Sequence, residues 1–333
     1  MDFQKLGEAA AKSETMARKV VPNRELQYDA DFACYEVADL EKTASHDFKH
    51  LLDHIEMKRA LSGSETVMAH ITLGEKSGRE GMATIKQYQE NRDPDASIKV
   101  RVRELRHMLA NHSSAFFNLF YEADDEMIKR QHARIKKYGW DSSVIMSGDK
   151  DLWMGQGWHC DAKTGRMYFV KGYGKTEYRE VGNVKPKLVG EGRSWFWHQM
   201  IMGDTADNIP GLEKITNGML DVYKPLKGGK PRKDGSGLCG EGKAVIVLDG
   251  VTTDKEACNR VWYLYADYYG VTAMERFIEQ AYLLWMQRND NLWDVITYIN
   301  GLGLHLKPSK HQRIAALQFL KRQDEARILN EPR

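Results

Sequence analysis

The sequence predicts an α/β domain with a mainly parallel central sheet flanked by helices, and a helical region after it. Three observations predict it. Short apolar runs recur at 26–29, 67–73 and 143–147. Stretches with helical spacing lie between or beside them, at 46–61, 99–119 and 124–138. Acidic residues gather just past the apolar runs, where a parallel sheet opens its crevice.

The elements follow in order. Residues 1–24 are polar and read as helical or loosely ordered. The first strand is LQYD at 26–29, and HDFKHLLDHIEMKRAL at 46–61 repeats with helical period. VMAHITL at 67–73 reads as a buried strand. Residues 76–97 are polar, carry Gly78, Gly81 and Pro94, and show no period; so long a loop in a compact domain signals function or disorder. The helix at 124–138 opens on Glu122, Asp124 and Asp125 and closes on Arg134, Lys136 and Lys137 before Gly139, the order that the helix dipole favours. SVIMS at 143–147 is another short strand. The character changes near 195, with SWFWHQMIMGDTADNIPGL and then the Gly- and Lys-rich PLKGGKPRKDGSGLCGEGK at 225–243. Residues 254–296 are aromatic and helical, and 309–328 read as a basic amphipathic helix. The division expected is 1–194 and 195–333.

Composition sets outer bounds. Hydrophobic residues make up 42% and charged residues 29%, which fits a protein with a real core. No apolar run reaches the eighteen residues that a transmembrane helix requires, and no secretory signal is read at the N-terminus. Cys34, Cys160, Cys239 and Cys258 are scattered without CxxC spacing and read as reduced structural thiols of a cytoplasmic protein. The histidines, His159 and His198 among them, are read as structural residues rather than ligands. Trp195, Trp197, Trp262, Trp285 and Trp293 sit among apolar neighbours and are expected to pack.

Three acidic signatures carry the chemistry. Glu122-Ala-Asp124-Asp125 stands at a helix start, and its i, i+3 spacing puts Glu122 and Asp125 on one side. Ser147-Gly-Asp149-Lys-Asp151 follows an apolar strand directly. Gly203-Asp204-Thr-Ala-Asp207-Asn repeats the i, i+3 spacing. Asp29 closes the first strand and Glu75 follows the second. Mg²⁺ and Mn²⁺ prefer oxygen ligands, and like charges this dense need a cation between them. A pair of ions about 3.5–4 Å apart activates water and stabilises a leaving oxygen. The formal charge of +2 becomes +11 once nine acids are set around cations, leaving a basic exterior suited to nucleic acid.

EADDEMI, SGDKDLWM and GDTADNIPGL, in this order, resemble the motifs of the structure-specific 5′ nucleases. That family includes flap endonucleases, the 5′-nuclease domains of bacterial DNA polymerases and the bacteriophage 5′-to-3′ exonucleases, and this chain looks most like the last. The resemblance spans roughly 26–250. It implies a PIN-like domain over 1–194, with an arch at 76–104, and a helix–hairpin–helix element within 195–333, followed by C-terminal helices. It implies two Mg²⁺ or Mn²⁺ ions. Glu122, Asp124, Asp125 and Asp149 match the ligands of one, and Asp151, Asp204 and Asp207 those of the other. Asp29 matches the acid that ends the first strand, and Glu75 a position where the family usually has Asp.

The resemblance also implies an arch motif, Tyr-Lys-x-Asn-Arg, which here is Tyr88-Gln89-Glu90-Asn91-Arg92. Gln89 replaces the lysine, and Lys86 or Arg79 is expected to supply the missing charge. Lys86, Arg92 and Asp149 are then the residues expected to act on the scissile phosphate. Tyr88 is expected to stack on a base and Arg79 or Arg92 to pair with phosphate. In the hairpin, Gly211, Gly240, Gly242 and Lys243 are expected to meet duplex phosphates, with a K⁺ ion there. An insert at 213–237 separates the two halves, with Lys214, Lys224, Lys227, Lys230, Arg232 and Lys233. The activity implied is 5′-to-3′ exonuclease or flap endonuclease cleavage of DNA by a monomer, with an RNA–DNA hybrid as a further substrate. The alternatives are a PIN-like ribonuclease and a non-catalytic DNA-binding protein on the same fold.

Overall fold

The computed structural model describes residues 18–91, 97–181, 184–215, 217–223 and 239–330. It divides into two compact units. The first comprises Met1–Glu75 and Asp93–Val170, and the second Lys76–Arg92 and Lys171–Arg333. The units part after Val170 rather than at 194, and the stretch expected as an arch, 76–104, is divided between them, Lys76–Arg92 going with the second unit and the remainder with the first.

The first unit is α/β. Its sheet has six strands in the order β3-β2-β1-β4-β5-β6. These are β1 (Val21–Asp29), β2 (Ser64–His70), β3 (Ala115–Phe116), β4 (Ser143–Met146), β5 (Gly157–Cys160) and β6 (Met167–Val170). All pairings are parallel except β5 with β6. β1 lies between β2 and β4, so the strand order reverses beside it. In open α/β sheets the carboxyl ends at such a reversal form the binding crevice.

β1 shows why this chain makes that sheet. Leu26 and Tyr28 point to one face and join the core with Cys34, Leu51, Ile55, Leu105 and Leu109. These come from helices α1 (Ala30–Val37), α2 (Ala44–Ser62) and α3 (Ser97–Ala110). Each such buried side chain contributes about 1.5–3 kcal/mol. Glu25 and Gln27 point to the other face, as the period of two requires. There Arg130, on helix α4 (Ala123–Tyr138), holds Glu25 with Nε at 2.6 Å and Nη2 at 3.0 Å. Gln27 donates to Glu25 at 2.8 Å and bonds His70 Nε2 at 2.8 Å. Glu25 and Gln27 thus find partners, as burial demands, whereas the buried Tyr28 hydroxyl of the same strand has none among the described residues.

Caps fix the helix ends. Thr43 Oγ1 accepts from His46 N at the start of α2, and Gly63 ends it in the left-handed region with φ 64°. α4 is capped by Glu122 and Gly139, close to its expected bounds. The helix expected over 99–119 stops at Ala110. Beyond it β3 feeds the sheet: Ala69 N donates to Ser114 O and Ile71 N to Phe116 O.

In the second unit β7 (Lys175–Val181) and β8 (Val184–Glu191) form a separate antiparallel ribbon. Helices follow: α5 (Arg193–Met202), α6 (Asn217–Tyr223), α7 (Glu241–Val247), α8 (Asp254–Tyr269), α9 (Ala273–Leu284), α10 (Asp294–Gly301) and α11 (Lys310–Asn330). Trp195, Trp197 and Trp285 are buried. Phe196 meets both Trp197 and Trp285 edge-on, and Tyr265 donates to Met200 O at 2.7 Å. The tryptophans pack, as their apolar neighbours predict. The four cysteines are buried free thiols. Among the described residues no helix is long and apolar enough to cross a membrane.

Candidate active site

The acids of the first unit collect at the carboxyl edge of its parallel strands. Asp29 is the last residue of β1 and also caps α1, with Oδ1 accepting from Phe32 N at 3.0 Å. Its Oδ2 accepts from Ser147 Oγ at 2.5 Å. The same Ser147 Oγ accepts from Asp149 N at 2.9 Å, and Asp149 Oδ1 from Asp151 N at 2.8 Å. One serine, one residue past β4, therefore fixes Asp29 and the Asp149 loop together. Gly148 sits here because a Cβ would come within 2.8 Å of the Phe32 ring.

The third group stands at the start of α4. Ala123 N donates to Thr72 Oγ1 at 3.0 Å, which anchors this helix start to the segment after β2. Asp124 and Asp125 occupy the first turn, where the dipole favours acids. Glu122 and Asp125 are buried and Asp124 is half-buried. Burial first, then the charges of Asp149, Glu122, Asp29 and Asp125, hold the Asp124 carboxyl well above the usual carboxylate range. Burial also pushes Asp29 up to about 7, and Asp31 pushes the same way, against the hydrogen bonds from Ser147 and Phe32. The structure thus brings together Asp29, Glu122, Asp124, Asp125 and Asp149, with Asp151 tied to Asp149.

Glu75 is also at this edge. Its amide donates to Leu119 O at 2.7 Å, where the chain leaving β2 crosses the chain leaving β3. Gly74 makes the crossing possible, since a Cβ there would lie 2.1 Å from Leu119 O. Ser147 and Thr72 were not singled out from the sequence. The Ser-Gly-Asp order was the available signal for the first.

The donor set is all oxygen, dense and mutually repelling, which is the chemistry a hard divalent ion relieves. Among the described residues no three His, Cys, Asp or Glu side chains stand ready around one point.

Asp204 and Asp207 lie in the second unit. Asp204 N and Ile209 N exchange hydrogen bonds with each other's carbonyls at 2.8 and 2.7 Å, closing the GDTADNI turn. Asp204 Oδ1 accepts from Ala206 N at 2.8 Å. Gly203 and Gly211 both have positive φ, and a Cβ on either would strike backbone within 2.3 Å. Asp207 takes two partners from the segment expected as an arch. Gln89 Nε2 donates to its Oδ1 at 2.9 Å and Tyr88 OH to its Oδ2 at 3.2 Å.

That segment is held within its own unit. Glu279 accepts from Thr84 N at 2.7 Å and Ile85 N at 2.9 Å. Tyr282 OH donates to Ser77 O at 2.9 Å. Two expectations are corrected here. Tyr88 is buried with its hydroxyl on Asp207, so its ring is not presented to a base. Arg79 is 2% exposed and donates to Trp285 O at 2.9 Å, so it is not presented to phosphate. Lys86 is exposed. Arg92 lies outside the described residues, as do Lys224, Lys227, Lys230, Arg232 and Lys233 of the insert.

The start of the stretch expected as an insert lies against the chain that follows it. Cys239 N donates to Glu213 O at 3.3 Å, and Lys243 Nζ to Ile215 O at 3.4 Å. Gly240 caps α7, and Gly240 and Gly242 face open space. Gly211 instead is enclosed, its amide donating to Gln280 Oε1 at 2.8 Å.

No family model matches the chain and no curated protein matches it. Solved structures do align. Bacteriophage T5 D15 protein co-crystallised with metal ions aligns at 14% identity and TM-score 0.42, over 84% of this chain and 98% of that one. A T5 D15 flap endonuclease variant in a pseudo-enzyme–product complex with DNA and metal ions aligns at 13% and TM-score 0.45, over 84% and 98%. A T5 5′-exonuclease mutant aligns at 14% and TM-score 0.41, over 90% and 98%.

Proposed function

We propose that this protein is a divalent-metal-dependent nuclease acting on DNA at 5′ ends, nicks, gaps or flaps. The observation that carries this reading is the convergence of Asp29, Glu122, Asp124, Asp125 and Asp149 at the strand-order reversal, where burial first and then the neighbouring carboxylates hold the Asp124 carboxyl well above its usual range. A structural role gives no reason to place that many like charges together. The order of the three acidic motifs supports the same reading.

In this proposal Glu122, Asp124, Asp125 and Asp149 would hold one ion, Mg²⁺ or Mn²⁺, and Asp151 would serve a second; Asp204 and Asp207, which the resemblance matches to that second ion, belong to the other unit. Bound ions of this kind supply an activated water and charge stabilisation for the leaving oxygen. The chain's own part is positioning. Ser147 sets the Asp29 and Asp149 carboxylates against each other. Glu75 is one methylene longer than the family's usual Asp and acts through water. Lys86 and Arg92 supply positive charge to the scissile phosphate. Gly240, Gly242 and Lys243 contact duplex phosphates, with K⁺ at the hairpin.

Mn²⁺-dependent cleavage of a 5′-labelled duplex tests the reading, with matched 5′-flap DNA and RNA beside it. Asp149→Ala and Asp124→Ala are expected to abolish cleavage while DNA binding persists. Unchanged cleavage by both variants overturns it. A second reading, a DNA-binding protein without turnover, is favoured by Gln89 in place of the arch lysine; no cleavage of any substrate across several pH values selects it.

A further inference from the structure

His46, His50 and His54 recur every four residues along α2. This is HxxxH spacing twice over, contrary to the expectation that the histidines show none and serve as structural residues. Residues four apart on a helix are neighbours on one face, and paired imidazoles at this interval chelate zinc elsewhere. His46 and His50 are both exposed, and their ring centroids are 4.4 Å apart. Two rings that close can direct a nitrogen each at one ion about 2.0–2.1 Å away. His54 is engaged otherwise, with Nε2 3.3 Å from Glu36 Oε2.

A second observation points to the same pair. Asp47, the residue after His46, is 1% exposed. Its Oδ2 accepts from Asp39 N at 3.1 Å and from Arg101 Nη1 at 2.5 Å. Its buried Oδ1 has no hydrogen-bond partner and faces His46 Nδ1 at 3.6 Å. Metal-binding histidines commonly turn one ring nitrogen to a carboxylate, which fixes the tautomer and leaves the other nitrogen as donor. His46 has that arrangement, with Nε2 left for a ligand.

We propose that His46 and His50 form a two-imidazole chelate for a borderline transition-metal ion such as Zn²⁺, Ni²⁺ or Cu²⁺. Asp47 is its positioning residue and does not ligate. The donors are nitrogens, so the site favours a different class of metal from the carboxylate cluster. The proposal does not depend on the nuclease reading.

The test is calorimetric titration of the untagged full chain with Ni²⁺ under excess Mg²⁺, with Cu²⁺ electron paramagnetic resonance beside it. Binding is expected to be lost in His46→Ala and His50→Ala and retained in His112→Ala and Asp149→Ala. Asp47→Asn is expected to weaken it about tenfold, with circular dichroism confirming the fold. The Cu²⁺ spectrum should show two imidazole nitrogens. Equal affinity in both histidine variants overturns the proposal, and so does a spectrum with one nitrogen or none.

Discussion

The side-chain amide of Gln89 donates to Oδ1 of Asp207 at 2.9 Å, and the Gln89 amide nitrogen donates to the Asp207 carbonyl at 3.0 Å. Gln89 takes this position with φ 56°, a conformation that costs a non-glycine residue energy. Its neighbour Tyr88 donates to the same carboxylate. An acid motif and the segment 119 residues before it are thereby latched.

Gln89→Lys tests what the latch does. A lysine there carries a full charge where the amide carries a dipole. Under the nuclease reading, turnover on a 5′-labelled duplex should rise about tenfold, equivalent to about 1.4 kcal/mol of transition-state stabilisation. Steady-state kcat checks this, and an unchanged or lower value counts against a role for this position in turnover.

Lys86 is the exposed cation of the same segment. Lys86→Ala should lower kcat by about tenfold or more, and Lys99→Ala, on α3, should have little effect. Equal losses would show that the lysine stands in for nothing.

The raised pKa of Asp29 has a definite sign in stability. Its folded pKa of about 7 lies above the ordinary 3.8. Between those values the unfolded chain has released its proton and the folded one retains it. In the metal-free protein the stability that Asp29 contributes is therefore full below about pH 4 and lost as pH rises to about 7, by up to about 4 kcal/mol. Asp29→Asn keeps the hydrogen-bonding shape and removes the titration. Urea melts in EDTA across this range should show wild type falling relative to the variant, and excess Mg²⁺ should narrow the gap. Parallel curves would refute the assignment.

Gly74→Ala places a methyl 2.1 Å from Leu119 O by its ideal geometry. The crossing must open, and a loss of about 2–4 kcal/mol in urea unfolding is expected. Gly172→Ala, with nothing within 4 Å of its Cβ but a φ of 70°, should cost less, about 1 kcal/mol.

The sheet centre was legible in the sequence because β2 and β4 are short apolar runs, and because Leu26 and Tyr28 alternate with polar residues in β1. The acids were legible because their spacing is local: Glu122 to Asp125, Asp149 to Asp151, Asp204 to Asp207. β7 and β8 were not. Tyr178 stands among Glu177, Arg179 and Glu180, and the ribbon depends on cross-strand pairing that leaves no apolar period. The fate of Arg79 and Tyr88 was not legible either. The partners that bury them, Trp285 O and Asp207, are distant in the chain, and a charged arginine reads locally as surface.

The route of the chain sets a schedule for synthesis. Lys76–Arg92 leaves the ribosome between two halves of the first unit, yet its partners belong to the second. Arg79 must wait for the carbonyl of Trp285, 206 residues later. At translation rates of 5–20 residues per second that delay is roughly 10–40 s. During it a buried-to-be arginine, a tyrosine and two apolar side chains, Met82 and Ile85, hang from a nascent domain whose sheet is completed only when Val170 has emerged. The last stretch to emerge, not the first, decides when the chain is safe from chaperones and proteases.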